Sequence, residues 1–225
     1  MASRKPAPLS STPAASSVRA AAGEALAAAK DRRQDILQAA LQCFAEAGIE
    51  AASIDMVRQR CGASVGSIYH HFGSKEGIVA ALYFDILSEQ AHRIQKQLDK
   101  ARSVPMPDEV RAGVRALVLG YLDWVVSQPE RARFLFQART LVAQGPQAAE
   151  LSAHARRRQQ ALLAWFEPHR QSGALQDIPC ELMPSLVMGP VQSYCRAWLS
   201  GGAGLPSPRK YRDVLADAAC RAVIA

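Results

Sequence analysis

Three glycines do most to limit what this chain can fold into. Gly48, Gly62 and Gly73 each close a stretch of apolar residues at helical spacing, and the stretches between them leave room for only two turns of helix each. From Arg32, the run RRQDILQAALQCFAEAGIE places Ile36, Leu37, Ala40, Phe44 and Ala47 on one face. Ser53 can cap IDMVRQRC, where Ile54, Val57 and Cys61 share a side, and Ser64 can cap VGSIYHHF, where Ile68 and Phe72 point inward. Helices this short do not persist alone in water, so the second and third must be packed on the first. Ser74 caps a longer fourth helix, KEGIVAALYFDILSEQAHRIQKQLDKA, with Ile78, Leu82, Tyr83 and Ile86 on one face up to the break SVPMP.

Beyond Pro107 the pattern stays helical, with expected helices at 108–127, 129–143, 148–170, 181–200 and 208–224. The fold class is all α. A three-helix amino-terminal unit, 28–76, is joined by the long fourth helix to a larger helical unit, 77–225. Residues 1–27 read as a disordered tail, since Ala, Ser and Pro dominate and no acid precedes Glu24. A cleaved transit peptide of similar composition is the alternative there, and Arg4, Lys5 and Arg19 could instead form an arm that enters a DNA minor groove. No apolar run approaches the length of a membrane span. The five cysteines (Cys43, Cys61, Cys180, Cys195 and Cys220) are scattered and contain no CxxC, which fits reduced core thiols in the cytoplasm. A net charge of +7 suits a polyanionic partner but is spread along the whole chain, so charge alone locates no DNA-binding face.

The segment GASVGSIYHHFGSKEG, from Gly62 to Gly77, carries the chemistry. A phosphate-cradling loop needs glycine directly before lysine and a strand before the loop, whereas here Ser74 separates Gly73 from Lys75 and a helix comes first. Metal binding wants ligands at i and i+4, but His70 and His71 are consecutive and have no third ligand nearby. A helix-turn-helix fits. Gly62 permits the tight turn, Ser64 can donate to a phosphate, and small Val65, Gly66 and Ser67 let the helix approach base edges. Tyr69 and His70 face outward. Lys75, with the free backbone N–H groups of a helix start, forms a phosphate clamp. Two plainer readings stand beside this one: Tyr69 as a half-buried core residue, and His71 as a packing or capping residue.

From RQDILQAALQCFAEAGIEAASIDMVRQRCGASVGSIYHHFGSKEG the chain resembles the TetR/AcrR family of regulators, over about Arg33 to Leu82, and MGPVQSYCRAWLSG is loosely similar to a carboxy-terminal helix of its members. The resemblance implies a homodimer, a ligand bound at a second site, and repression of nearby genes from a double-stranded DNA operator. It gives Ser53 a backbone-phosphate role as the second helix's cap, Val65, Gly66, Ser67, Tyr69 and His70 the recognition helix, and Lys75 the phosphate lysine. Asp55 and Arg58 depart from the family pattern. An aspartate there would repel phosphate unless Arg58 or Arg60 pairs with it.

The remaining residues show no catalytic constellation, and neither enzyme activity nor a cofactor is expected. Their aromatic side chains are core first, and the resemblance directs a search for a small-molecule effector site to Trp124, Phe134 and Arg139. The last two helices carry broad apolar faces: Leu182, Leu186, Val191, Tyr194 and Trp198 on one, and Val214, Leu215, Ala218 and Ala222 on the other. Such faces suit a two-fold four-helix interface through Leu186, Tyr194, Trp198, Val214 and Ala218, with a kink expected at Gly189 and Pro190. The reading is a DNA-binding repressor released by a small molecule. A helical enzyme or carrier with a similar turn, and an architectural DNA protein without ligand, stay open beside it.

Overall fold

The computed structural model describes residues 14–105, 108–201 and 204–225, the first fifteen of them as backbone only. These residues form α1 (Ala14–Ala47), α2 (Ile54–Cys61), α3 (Val65–Phe72), α4 (Lys75–Ala101), α5 (Asp108–Ser127), α6 (Pro129–Gln144), α7 (Ala148–Gln171), α8 (Met183–Leu199) and α9 (Arg212–Val223), with a 3-10 turn at Pro208–Tyr211. An isolated antiparallel bridge joins Leu175 to Ile224. The bounds of α2 to α5 are those the sequence predicts. The last helix is not one piece: Pro208 opens the 3-10 turn and the Ser207 hydroxyl accepts the Arg209 N–H, so α9 starts only at Arg212.

The start of α1 changes the tail reading for residues 14–27, because the backbone is helical from Ala14, while residues 1–13 lie outside the described residues. Alanine is the strongest helix former, and AASSVRAAAGEALAAAK extends a helix already fixed by packing further along, so it avoids the nucleation cost. Arg4 and Lys5 of the suggested arm lie outside the described residues.

Ile36, Ala40 and Phe44 of α1, Val57 of α2, Ile68 of α3, and Ile78 and Leu82 of α4 are buried in the common core. The Phe44 ring stacks on Phe134 of α6 with centroids 5.6 Å apart and planes 13° from parallel. Arg131 of α6 reaches Glu89 of α4 at 2.5 Å. In the larger unit α5 is central and packs on α4, α8 and α9. Its Val114, Val118, Leu122 and Val125 recur at helical spacing and are fully buried, each stabilising the fold by about 1.5–3 kcal/mol. Gly113 lets the Trp165 ring of α7 lie against α5, since a Cβ there would come within 1.9 Å of the ring. Arg115 pairs with Asp213 and Asp217 on α9.

Several sequence expectations change here. Trp124 is buried beside Tyr121, Phe134 fills the seam between α1 and α6, and Arg139 is exposed on α6, so these three do not gather around one space. In a helical bundle the large aromatic side chains go to the seams between helices. Val191, expected to face outward, is buried, while Gly189 and Pro190, where a kink is expected, lie inside α8. Cys43, Cys195 and Cys220 are buried, and burial pushes the Cys195 thiol up to about 12. Cys61 is half-buried and Cys180 is exposed, so neither is a core thiol.

Candidate nucleic-acid interface

Each of α2, α3 and α4 opens on a serine. Ser53 Oγ accepts the Met56 N–H at 3.2 Å, Ser64 Oγ that of Ser67 at 3.1 Å, and Ser74 Oγ that of Gly77 at 3.1 Å. A hydroxyl that accepts in this way keeps its own hydrogen. Ser53 and Ser64 are exposed, so each can cap its helix and donate to a phosphate oxygen at once. Gly62 ends α2 in the left-handed region at φ 64°, which turns the chain into α3 within three residues.

In α3, Ile68 is the one buried side chain. Val65 and Tyr69 are 45% and 49% exposed, Gly66 and His70 are also exposed, and Ser67 is half-buried. The spacing 65, 66, 69, 70 puts these four on one outward face. Open space lies beyond Gly66, a tyrosine hydroxyl and an imidazole can each donate or accept at a base edge, and a valine methyl can meet a thymine methyl. The exposure of Tyr69 decides against the core reading for it. His71, half-buried, turns toward a cleft instead.

Asp55 does not face the solvent unpaired. Arg58 Nε donates to its Oδ1 and Gln59 Nε2 to its Oδ2, each at 2.7 Å. Arg60 turns away to form a two-pronged pair with Glu46, whose carboxyl that hydrogen bond holds below the usual range. Lys75 is more engaged than its sequence position suggests. Its Nζ donates to the Glu50 carbonyl at 2.6 Å, bracing the turn between α1 and α2. The N-terminus of α4 is also less open than expected. The backbone N–H of Glu76, then the Ser74 hydroxyl, hold the Glu76 carboxyl below its usual range, so that carboxylate already sits on the helix end.

Two cavities lie away from this face. One, of about 30 Å³, is a crevice beside Phe166 and Met183. The other is an open cleft of about 500 Å³ between α4 and α7, reaching Arg33, His71 and Phe72 of the amino-terminal unit. Trp124, Phe134 and Arg139 line neither. Among the described residues no group of three or more His, Cys, Asp or Glu could hold a metal ion, and no helix is long and apolar enough to cross a membrane.

Residues 36–82 match the family model for bacterial regulatory proteins of the tetR family. The amino-terminal unit therefore carries a TetR-family domain. Over 50 residues the chain is 48% identical to the transcriptional repressor AcnR of Corynebacterium glutamicum, a stretch that is 22% of this chain and 27% of that protein. Over 72 residues it is 39% identical to the repressor KstR2 of Mycolicibacterium smegmatis, covering 32% and 35% of the two chains. The matched stretch thus spans about a third or less of these relatives' length. The likeness of fold reaches further. The fatty acid degradation regulator FadR of Bacillus halodurans superposes with a TM-score of 0.67 at 16% identity, over 83% of this chain and 96% of that one. The ketosteroid regulator KstR2 of Mycobacterium tuberculosis does so with a TM-score of 0.64 at 18% identity, over 86% and 95%. The family is one of transcription regulators, not of enzymes.

A phosphate contact by Lys75, expected from the sequence, is separable from its observed brace on Glu50. Lys75→Ala is expected to weaken binding to every DNA sequence alike and to reduce the slope of log K against log salt by about one. A salt titration with an unchanged slope would assign Lys75 to bracing Glu50 alone.

Proposed function

We propose that the chain is a homodimeric repressor that holds a palindromic double-stranded operator through two copies of α3 and releases it when a small molecule binds the helical body. The observation that carries this reading is the outward face of Val65, Gly66, Tyr69 and His70 on a helix anchored by Ile68, with the exposed capping serines Ser53 and Ser64 at the starts of α2 and α3. One such helix reaches too few base pairs for specificity, and a two-fold pair doubles the contacts on a palindrome. In this reading 28–76 is the DNA-reading unit, 77–225 is the ligand-binding and dimerisation unit, and the protein works in the cytoplasm.

The second copy is expected to dock on α8 and α9. Leu182, just before α8, and Val214 of α9 are 49% and 63% exposed, and Leu186 and Trp198 of α8 and Ala218 of α9 are half-buried. Tyr194 belongs less to that face, since its hydroxyl donates to the Pro206 carbonyl at 3.0 Å and its ring stands edge-on to Tyr211. Selection from a random DNA pool by the full chain tests the proposal. Enrichment of an inverted repeat with half-sites about one helical turn apart supports it, and recovery of no common sequence overturns it.

A further inference from the structure

We propose that the open cleft between α4 and α7 binds a small aromatic cation, and that this cation is the effector that loosens the regulator from DNA; the second half rests on the repressor reading, the first does not.

One face of α4 builds the floor. Ala80 and Ala81 are small and leave the space, while Phe84 and Asp85, one turn on, present a ring and a carboxylate to it. The Phe84 ring stacks on the His154 imidazole of α7, with centroids 5.0 Å apart and planes 25° from parallel. At the other end Phe72 closes α3, with the Arg33 guanidinium 5.6 Å from its ring centroid. A volume of about 500 Å³ is in the usual range for sites that take small organic ligands.

The charges of the lining select the class of ligand. Asp85 accepts a hydrogen bond from Gln34 Nε2 at 3.4 Å and pairs with no lysine or arginine among the described residues. Among the described residues Glu150 has only His154, at 3.9 Å. With the histidines counted as neutral, Asp85 and Glu150 outweigh Arg33, and the cleft carries a net negative charge. Two carboxylates with no lysine or arginine partner among the described residues, set among aromatic rings, are complementary to an organic cation that can offer both a positive charge and a flat face. An anion would have Arg33 to meet, but it would also meet both carboxylates.

The same cleft touches the DNA-reading helix. His71 and Phe72 lie in the last turn of α3, next in sequence to the outward-facing Tyr69 and His70. A ligand wedged between Phe72 and His154 therefore bears on the tilt of α3 against the body. It releases DNA only to the extent that it binds the tilted arrangement more tightly than the DNA-bound one.

Calorimetric titration of the full chain without DNA tests the site, using a matched series: the biphenylmethyl trimethylammonium cation, biphenylcarboxylate, and neutral biphenylmethanol. Saturable binding of the cation at one per chain is expected. It should weaken at least about tenfold in a double variant carrying Asp85→Asn and Glu150→Gln, and separately in Ala81→Leu, which fills the floor. Both sets of changes sit at exposed or half-buried positions, and unchanged circular dichroism checks that the variants are folded. Preference for the carboxylate, no saturable binding of the cation, or cation binding untouched by either variant overturns the site. Fluorescence anisotropy of a labelled operator then tests the regulatory half, with release expected in the wild type and not in the double variant. If the cation fills the cleft and the operator stays bound, the effector role falls while the site stands. A chain that binds no operator at all refutes the repressor reading instead.

Discussion

An Ile68→Ala variant is expected to lose operator affinity by at least about tenfold while keeping most of its helix content. Ile68 is 1% exposed and is the one side chain by which α3 is fully sunk into the core. Truncating it removes about 2–5 kcal/mol, a large share of the total of about 5–15 kcal/mol that holds an average domain folded. A helix of two turns has no stability of its own to absorb the loss. α3 should therefore fray before the body of the protein does, because α5 is held by several fully buried side chains, Val114, Val118, Leu122 and Val125 among them, rather than by one. Hydrogen exchange locates the effect: faster exchange of the α3 amides is expected, with α5 unchanged. Tyr69→Ala is the contrast, since that side chain is half exposed and its removal should cost affinity with little change in stability. If Ile68→Ala keeps both its operator affinity and its α3 protection, α3 is anchored by something other than Ile68.

The double variant carrying Leu182→Glu and Val214→Glu is expected to be a folded monomer that no longer holds a palindromic operator. Both residues are largely exposed in the single chain, so charged replacements cost the monomer little. In a two-fold interface the same carboxylates would be buried without partners, a cost of several kcal/mol per ion. Trp198→Glu is a poorer probe, because Trp198 is half-buried within its own chain and its loss would disturb the fold as well. Sedimentation velocity gives the mass, and circular dichroism reports the fold. A variant that still sediments as a dimer and protects both half-sites would place the interface elsewhere.

The short helices are legible in the sequence because their ends are written in residue types with local physical consequences. Ser53, Ser64 and Ser74 each accept the N–H three residues on, and Gly62 and Gly73 take positive φ. Those effects need no knowledge of distant residues. The start of α1 is not legible in the same way, because an alanine-rich, acid-poor composition is common to disordered segments and to good helices. Only the packed helix that the segment runs into decides between the two. Trp124, Phe134 and Arg139 point to a ligand site on chemistry and family likeness alone. Space is what a ligand needs, and the cleft owes its space to Ala80 and Ala81, small residues that attract no notice in a sequence. Its walls come from Arg33, His71 and His154, far apart along the chain. The pairing of Asp55 with Arg58 and Gln59 lies between the two extremes: the spacing allows it, but only the geometry shows that both carboxylate oxygens are taken.

The stack of Phe44 on Phe134 bears on how such proteins can be recombined. If the amino-terminal unit of one such regulator were joined to the larger helical unit of another, the sequence would suggest a splice between residues 76 and 77. Cutting there would leave Phe44 facing a foreign α6, and would divide Ile78 and Leu82 from the helices they seal. A workable graft has to carry the first two turns of α4 with the reading end, and to supply an aromatic side chain where Phe134 stands. The portable module is then defined by a surface of contact on the far side of the chain rather than by a stretch of sequence.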